Sequence, residues 1–238
     1  MDSSLIDKQR KLLMFTAKSL YKAGICDQAM TSFKQAIDMD ARLNKKQTTF
    51  FNDLVQTIVN PIRAATKQLR ESEAFAQEKS ESLATLIHNE TVKQFEKLKF
   101  TCHDVLSIID QQIIPGNTDT EVKVDMMRLQ ADLYRYITEF ANDDEKSFFS
   151  NRAASVYEQA YKIASNKLPS HSTSRLALVL NRAILLANVL GHISEAVDLV
   201  EYEVGLLNQG NTELSETSYQ QAMIFSRSLG KLLLRWKK

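Results

Sequence analysis

Arg135 and Tyr136 stand side by side in residues 132–140, Asp-Leu-Tyr-Arg-Tyr-Ile-Thr-Glu-Phe, and set a guanidinium and a phenol next to each other as hydrogen-bond donors. Leu129, Leu133, Tyr136, Ile137 and Phe140 recur at helical spacing and predict one apolar face. Arg128, Asp132, Arg135 and Glu139 follow at steps of three and four on the opposite face. By spacing alone they are i,i+4 pairs on a solvated helix surface, Arg128 with Asp132 and Arg135 with Glu139. A second polar group stands in an apolar setting, residues 168–181, Leu-Pro-Ser-His-Ser-Thr-Ser-Arg-Leu-Ala-Leu-Val-Leu-Asn. Asn181, Ile184 and Asn188 share a helix face. Taken alone, Asn181 reads as a satisfied core amide.

Other chemistries find little support. His88, His103, His171 and His192 have no metal-ligand spacing, and neither Cys26 nor Cys102 has a plausible catalytic base nearby in sequence. There is no glycine-rich phosphate loop either, so the reading contains no catalytic residues, no metal and no cofactor. Two distant cysteines read as free thiols of a reducing compartment. A net charge of +1 argues against nucleic acid as the partner. The first residues lack a signal peptide. The most apolar run, 176–190, is interrupted by Asn181, Arg182 and Asn188, and falls short of the roughly twenty residues of a membrane span. No membrane insertion is expected, and the default location is cytoplasmic.

The elements that must position these residues are helices. Six glycines and three prolines in 238 residues are too few for strands joined by tight turns, so the class is all-α. Nine antiparallel helices are predicted, over about 4–23, 27–39, 44–79, 80–114, 120–142, 143–167, 172–190, 194–208 and from 215 almost to the C-terminus. Asn44, Ser80, Asp143 with Asp144, Ser172 or Thr173, and Ser215 serve as starts, while Gly24, Pro115 with Gly116, and Gly191 serve as stops. Pro61 should kink the third helix or begin a new one capped by Asn60. Residues 20–38 and 187–196 echo a tetratricopeptide signature, but the roughly 34-residue period is not sustained.

In their order and separation these stretches resemble the 14-3-3 family of phosphopeptide-binding adaptors. The strong part covers about 95–236, including Thr101-Cys102-His103-Asp104-Val105-Leu106-Ser107, residues 123–140, 157–164 and 168–181, and the echoes at 216–219 and 232–236. The resemblance implies one domain over 1–238, a cup of nine helices with a groove, in which 1–80 holds the N-terminal, dimer-forming helices and 81–238 the remaining groove helices. It implies phosphorylated proteins or peptides as partners. Arg135 and Tyr136 match the fifth-helix arginine and tyrosine that hold the phosphate, and Arg63 resembles the third-helix arginine. A guanidinium gives bidentate bonds to phosphate oxygens, and a phenol adds a neutral donor. Asn181 matches the asparagine that binds the peptide backbone, with Leu180 and Ile184 on the same groove wall.

Several groove positions depart from the family. Gln56 stands where the phosphate-binding lysine is usual, Arg128 replaces a lysine, and Lys67 an arginine. Leu232 replaces a second asparagine, Asn188 a glutamate and Ser228 a leucine. These departures imply altered affinity. They also leave open an alternative, a degenerate helical scaffold that binds partners independently of phosphate. Family homo- and heterodimers join the first helix to the partner's third and fourth. Here Lys22 would face Lys97, and Ile25 would leave Lys93 unanswered, while Leu12, Leu13, Ala17 and Leu20 could still bury apolar surface. A dimer weaker than the family's, or a monomer, is expected.

Overall fold

The computed structural model describes residues 3–209 and 216–237, with side chains over 4–209 and 220–237. Every regular element among them is helical. The chain divides into two compact units, one formed by Met1–Asn117 with Glu139–Asn142, the other by Thr118–Thr138 with Asp143–Lys238.

The first unit holds α1 (Ser3–Lys22), α2 (Cys26–Met39), α3 (Lys45–Gln77) and α4 (Glu81–Ile108), the last extended by a π-helical turn at Ile109–Ile113 and a final turn at Ile114–Gly116. Gly24 ends α1 at φ +77°, with its N–H donating to the Tyr21 carbonyl and the Ile25 N–H to the Leu20 carbonyl. This is the paired-bond stop that favours glycine. Asn44 and Gln47 form a reciprocal capping box at the start of α3, each side chain accepting the other's backbone N–H at 3.0 Å. Ser80 caps α4 through the Leu83 N–H at 3.4 Å. The α2–α3 core is aromatic. Phe33 stacks on Phe51 at 4.6 Å and meets Phe50 edge-on. Asn117 ties the end of this hairpin by accepting the Leu43 N–H and donating to the Ala41 and Ile113 carbonyls. Gly116 passes so close that a Cβ there would lie 2.9 Å from that of Ala41.

Pro61 neither splits α3 nor makes Asn60 a cap, because the helix runs unbroken from Lys45 to Gln77. Asn60 instead accepts from its own neighbour Arg63, 2.9 Å from Nη1.

The second unit holds α5 (Thr120–Thr138), α6 (Asp143–Lys167), α7 (Thr173–Asn188), α8 (Ile193–Gln209) and α9 (Glu216–Trp236). The expected start of α9 at Ser215 lies outside the described residues. With α4 and its terminal turns counted as one, the described residues form nine helices. Helix α7 is buried on two sides, as its apolar run predicts. Leu178 and Leu185 pack with Ala131, Tyr157 and Ala160 of α5 and α6. Leu176, Val179, Ala183 and Leu186 pack with Val200, Leu207, Ala222 and Leu229 of α8 and α9. Gly191 (φ +73°) turns the chain between α7 and α8.

Helix α5 stops at Thr138, four residues before the predicted end. The reason is in the first unit, where Arg70 donates to the carbonyls of Glu139 (3.1 Å) and Phe140 (2.7 Å) and so replaces the helical partners those groups would need. Phe140 is therefore not part of the α5 face. It packs on Phe95 and under the Arg70 guanidinium.

Candidate functional site

Asp132 organises the polar face of α5. The sequence places it on a solvated surface, yet its side chain is 1% exposed. Its Oδ1 accepts from Tyr157 Oη on α6 (2.5 Å), Arg135 Nη2 (3.1 Å) and Asn181 Nδ2 on α7 (3.0 Å). Its Oδ2 accepts from Asn181 Nδ2 (2.8 Å) and Arg128 Nη1 (3.4 Å). Three helices thus converge on one buried carboxylate. Both arginine side chains are about 15% exposed, so this face is not a solvated one.

Two guanidiniums share that carboxylate. Arg128 Nε also lies 3.9 Å from Asp125. The Arg135 guanidinium rests 4.7 Å from the Tyr136 ring centroid, and Tyr136 is buried. Burial works against the Arg135 charge, but the Asp132 carboxylate beside it outweighs burial and holds its pKa above the ordinary value. Burial, then Asp132, pushes the Tyr157 phenol well above its usual range, so it remains a neutral donor.

The expected α3 residues lie in the first unit. Arg63 is bound bidentately by Glu139, with Nη2–Oε1 at 2.6 Å and Nε–Oε2 at 3.1 Å. Gln56 is half-buried, and Lys67 is exposed, 3.9 Å from Glu71. Burial pushes the thiol of Cys102, near Arg63 and Glu139, up to about 12, which keeps it protonated and unreactive.

On α7, Leu180 packs at the edge of the α7–α9 core, Ile184 is half-buried and Asn188 is exposed. On α9, Ser228 donates to the Ile224 carbonyl at 3.1 Å and Leu232 is half-buried. Of the residues expected from sequence in the second unit, the structure brings Arg128, Arg135 and Asn181 directly together through Asp132. Asp132 was legible only as an ion-pair partner. Tyr157 carried no signal of its own beyond its place in the α6 stretch.

A second polar centre escaped the sequence reading. Arg175 and Glu203 are buried and joined by Nε–Oε2 (2.9 Å) and Nη2–Oε1 (2.8 Å) bonds. Arg175 Nη1 also donates to the Leu168 carbonyl at 3.0 Å, and Tyr161 Oη donates to Glu203 at 2.7 Å. The signal was present. Glu203 sits in the stripe Ala196, Val200, Glu203, Leu207, and Arg175 in Arg175, Val179, Ala183, Leu186. Opposite charges at apolar-stripe positions of consecutive helices point to a buried pair.

Among the described residues no cluster of three or more histidine, cysteine or acidic side chains could hold a metal ion, and no helix is long and apolar enough to cross a membrane.

A sequence model of the 14-3-3 protein family matches residues 16–237. The chain is 27% identical over 237 residues to the 14-3-3-like protein GF14 iota of Arabidopsis thaliana, covering 99% of this chain and 88% of that one. It is 30% identical over 165 residues to 14-3-3 protein I of Plasmodium falciparum, covering 67% of this chain and 63% of that one. It is 24% identical over 230 residues to the 14-3-3 protein of Giardia intestinalis, covering 95% and 92%.

Proposed function

Because the chain belongs to the 14-3-3 family, whose members are non-catalytic adaptors in protein–protein interactions, we propose that it binds phosphoserine- or phosphothreonine-containing segments of partner proteins. The observation that carries this reading is the Asp132 cluster, in which two partly accessible guanidiniums are held side by side on one buried carboxylate. A phosphoserine brings about −1.5 to −2 charge and three acceptor oxygens at neutral pH. Arg135 supplies the fork, Tyr136 a neutral donor, and Arg128 a second cation. Arg63 is the first-unit position that the family resemblance assigns to the phosphate, and its donors are held by Glu139 and Asn60. Asn181 binds the peptide backbone, and Lys67, Leu180, Ile184, Asn188, Ser228 and Leu232 are groove positions that tune the sequence preference. Residues 1–238 act as one functional domain, a reading supported by a family match that runs through both units, and the location we propose is the cytoplasm.

The phosphate-independent scaffold is the second reading, and one observation favours it. Glu139 neutralises Arg63 and Gln56 is uncharged, so these α3 positions contribute no net charge. Restoring the lysine separates the two. Gln56→Lys is expected to tighten a phosphoserine peptide roughly ten- to hundredfold, the scale of one charge-assisted hydrogen bond, in a fluorescence titration. Equal binding of phosphorylated and plain peptides by both proteins would favour the scaffold instead.

Self-association is weak on this reading. Leu12 and Phe15 expose an apolar stripe on α1, but Ala17 is buried within its own unit and cannot serve a partner. In the family's paired arrangement Lys22 would meet Lys97 as a like charge, and Ile25 would offer Lys93 no acidic partner. Sedimentation across a concentration series is expected to show dissociation in the micromolar range, and a dimer persisting at nanomolar concentration would contradict this.

A further inference from the structure

We infer that Asp132 is a positioning residue for peptide binding, which fixes the polarity of the Asn181 amide and aims the guanidiniums of Arg128 and Arg135. The inference rests on the phosphopeptide reading and deepens it. An ionised carboxylate only accepts hydrogen bonds, so the atom of Asn181 that lies 2.8 and 3.0 Å from its two oxygens must be the amide nitrogen. The carbonyl oxygen of Asn181 is then the group offered to a bound chain, and it selects a backbone N–H at that point. The same carboxylate receives Nη2 of Arg135 and Nη1 of Arg128, and so holds each planar group in one orientation. Tyr157 holds the carboxylate itself from α6 at 2.5 Å. With about four lone-pair sites and five donor contacts, Asp132 is saturated and has no capacity for a ligand of its own.

A counter-charge and a positioning residue make opposite predictions. Removing a mere counter-charge would leave the two arginines freer to attract phosphate, and binding would tighten. Removing a positioning residue disorders the donors and lets the Asn181 amide turn, and binding weakens. Asp132→Asn is expected to weaken a phosphoserine peptide about tenfold or more despite the added positive charge. Its loss and that of Asn181→Ala are expected to combine to less than their sum, because one acts through the other. In the ligand-free protein, the Asn181 side-chain amide protons are expected to be protected from exchange by NMR, and to lose that protection in Asp132→Asn. If Asp132→Asn does not fold, Asn181→Asp decides the matter. It sets two carboxylates against each other and should weaken binding more than Asn181→Ala. Tighter or unchanged binding by Asp132→Asn, or Asn181→Asp binding as well as Asn181→Ala, would overturn the inference. If the parent protein ignores phosphopeptides, the phosphopeptide reading falls. Exchange of the Asn181 amide then still decides its polarity, since exchange as fast as in a free amide would refute it.

Discussion

Arg135→Ala is expected to lower phosphoserine-peptide affinity on the order of a hundredfold. The guanidinium contributes its own charge-assisted bonds to phosphate, and it is also one of two cations balancing Asp132 at 3.1 Å. Its removal leaves Arg128 alone against Asp132 and Asp125, so the cluster turns net negative and repels phosphate. Arg135→Lys keeps the charge but loses the planar fork, and should fall between parent and alanine. Lys162→Ala is the control. It removes an exposed α6 cation paired with Glu158 at i,i+4, and should leave affinity unchanged. Titration calorimetry with one peptide across the four proteins measures the series. Parent-like affinity in Arg135→Ala would mean that phosphate is held elsewhere.

The second large effect concerns stability. Glu203→Ala leaves the Arg175 guanidinium, itself 5% exposed, without its carboxylate and strands the Tyr161 hydroxyl. Breaking a buried pair in this way costs about 3–5 kcal/mol. For a chain of this size that is a fall in Tm of roughly 10 °C, readable by circular dichroism. Arg175→Ala should cost a similar amount. The double replacement Arg175→Met with Glu203→Leu, which removes both charges and refills the volume, should recover most of the loss. If the double variant is as unstable as either single one, the site owes its stability to shape rather than to charge pairing.

The helices were legible wherever a local signal specified them. Asn44, Ser80 and Ser172, and the stops at Gly24 and Gly191 act through neighbours a few residues away, so sequence alone locates them. The stop of α5 was illegible because Arg70, far off in sequence, takes over the carbonyls of Glu139 and Phe140. Pro61 misled for a different reason. It removes one hydrogen bond from a helix of 33 residues whose Phe51, Leu54, Val55, Val59 and Ile62 are buried, and that packing outweighs the local penalty. At the site, the residue types and their register could be read, but burial could not. Asp132 has the same i,i+4 spacing to Arg128 in either setting, and only Tyr157 and Asn181 arriving from other helices turn a surface pair into a buried centre.

The central claim is that this chain distinguishes a phosphorylated segment from a plain one. A fluorescent phosphoserine peptide titrated beside its unphosphorylated twin tests it most directly. The account predicts saturable binding of the phosphorylated peptide, about tenfold or more tighter than the twin, with the difference shrinking as salt is raised. Equal affinity for the two peptides at every salt concentration would contradict it.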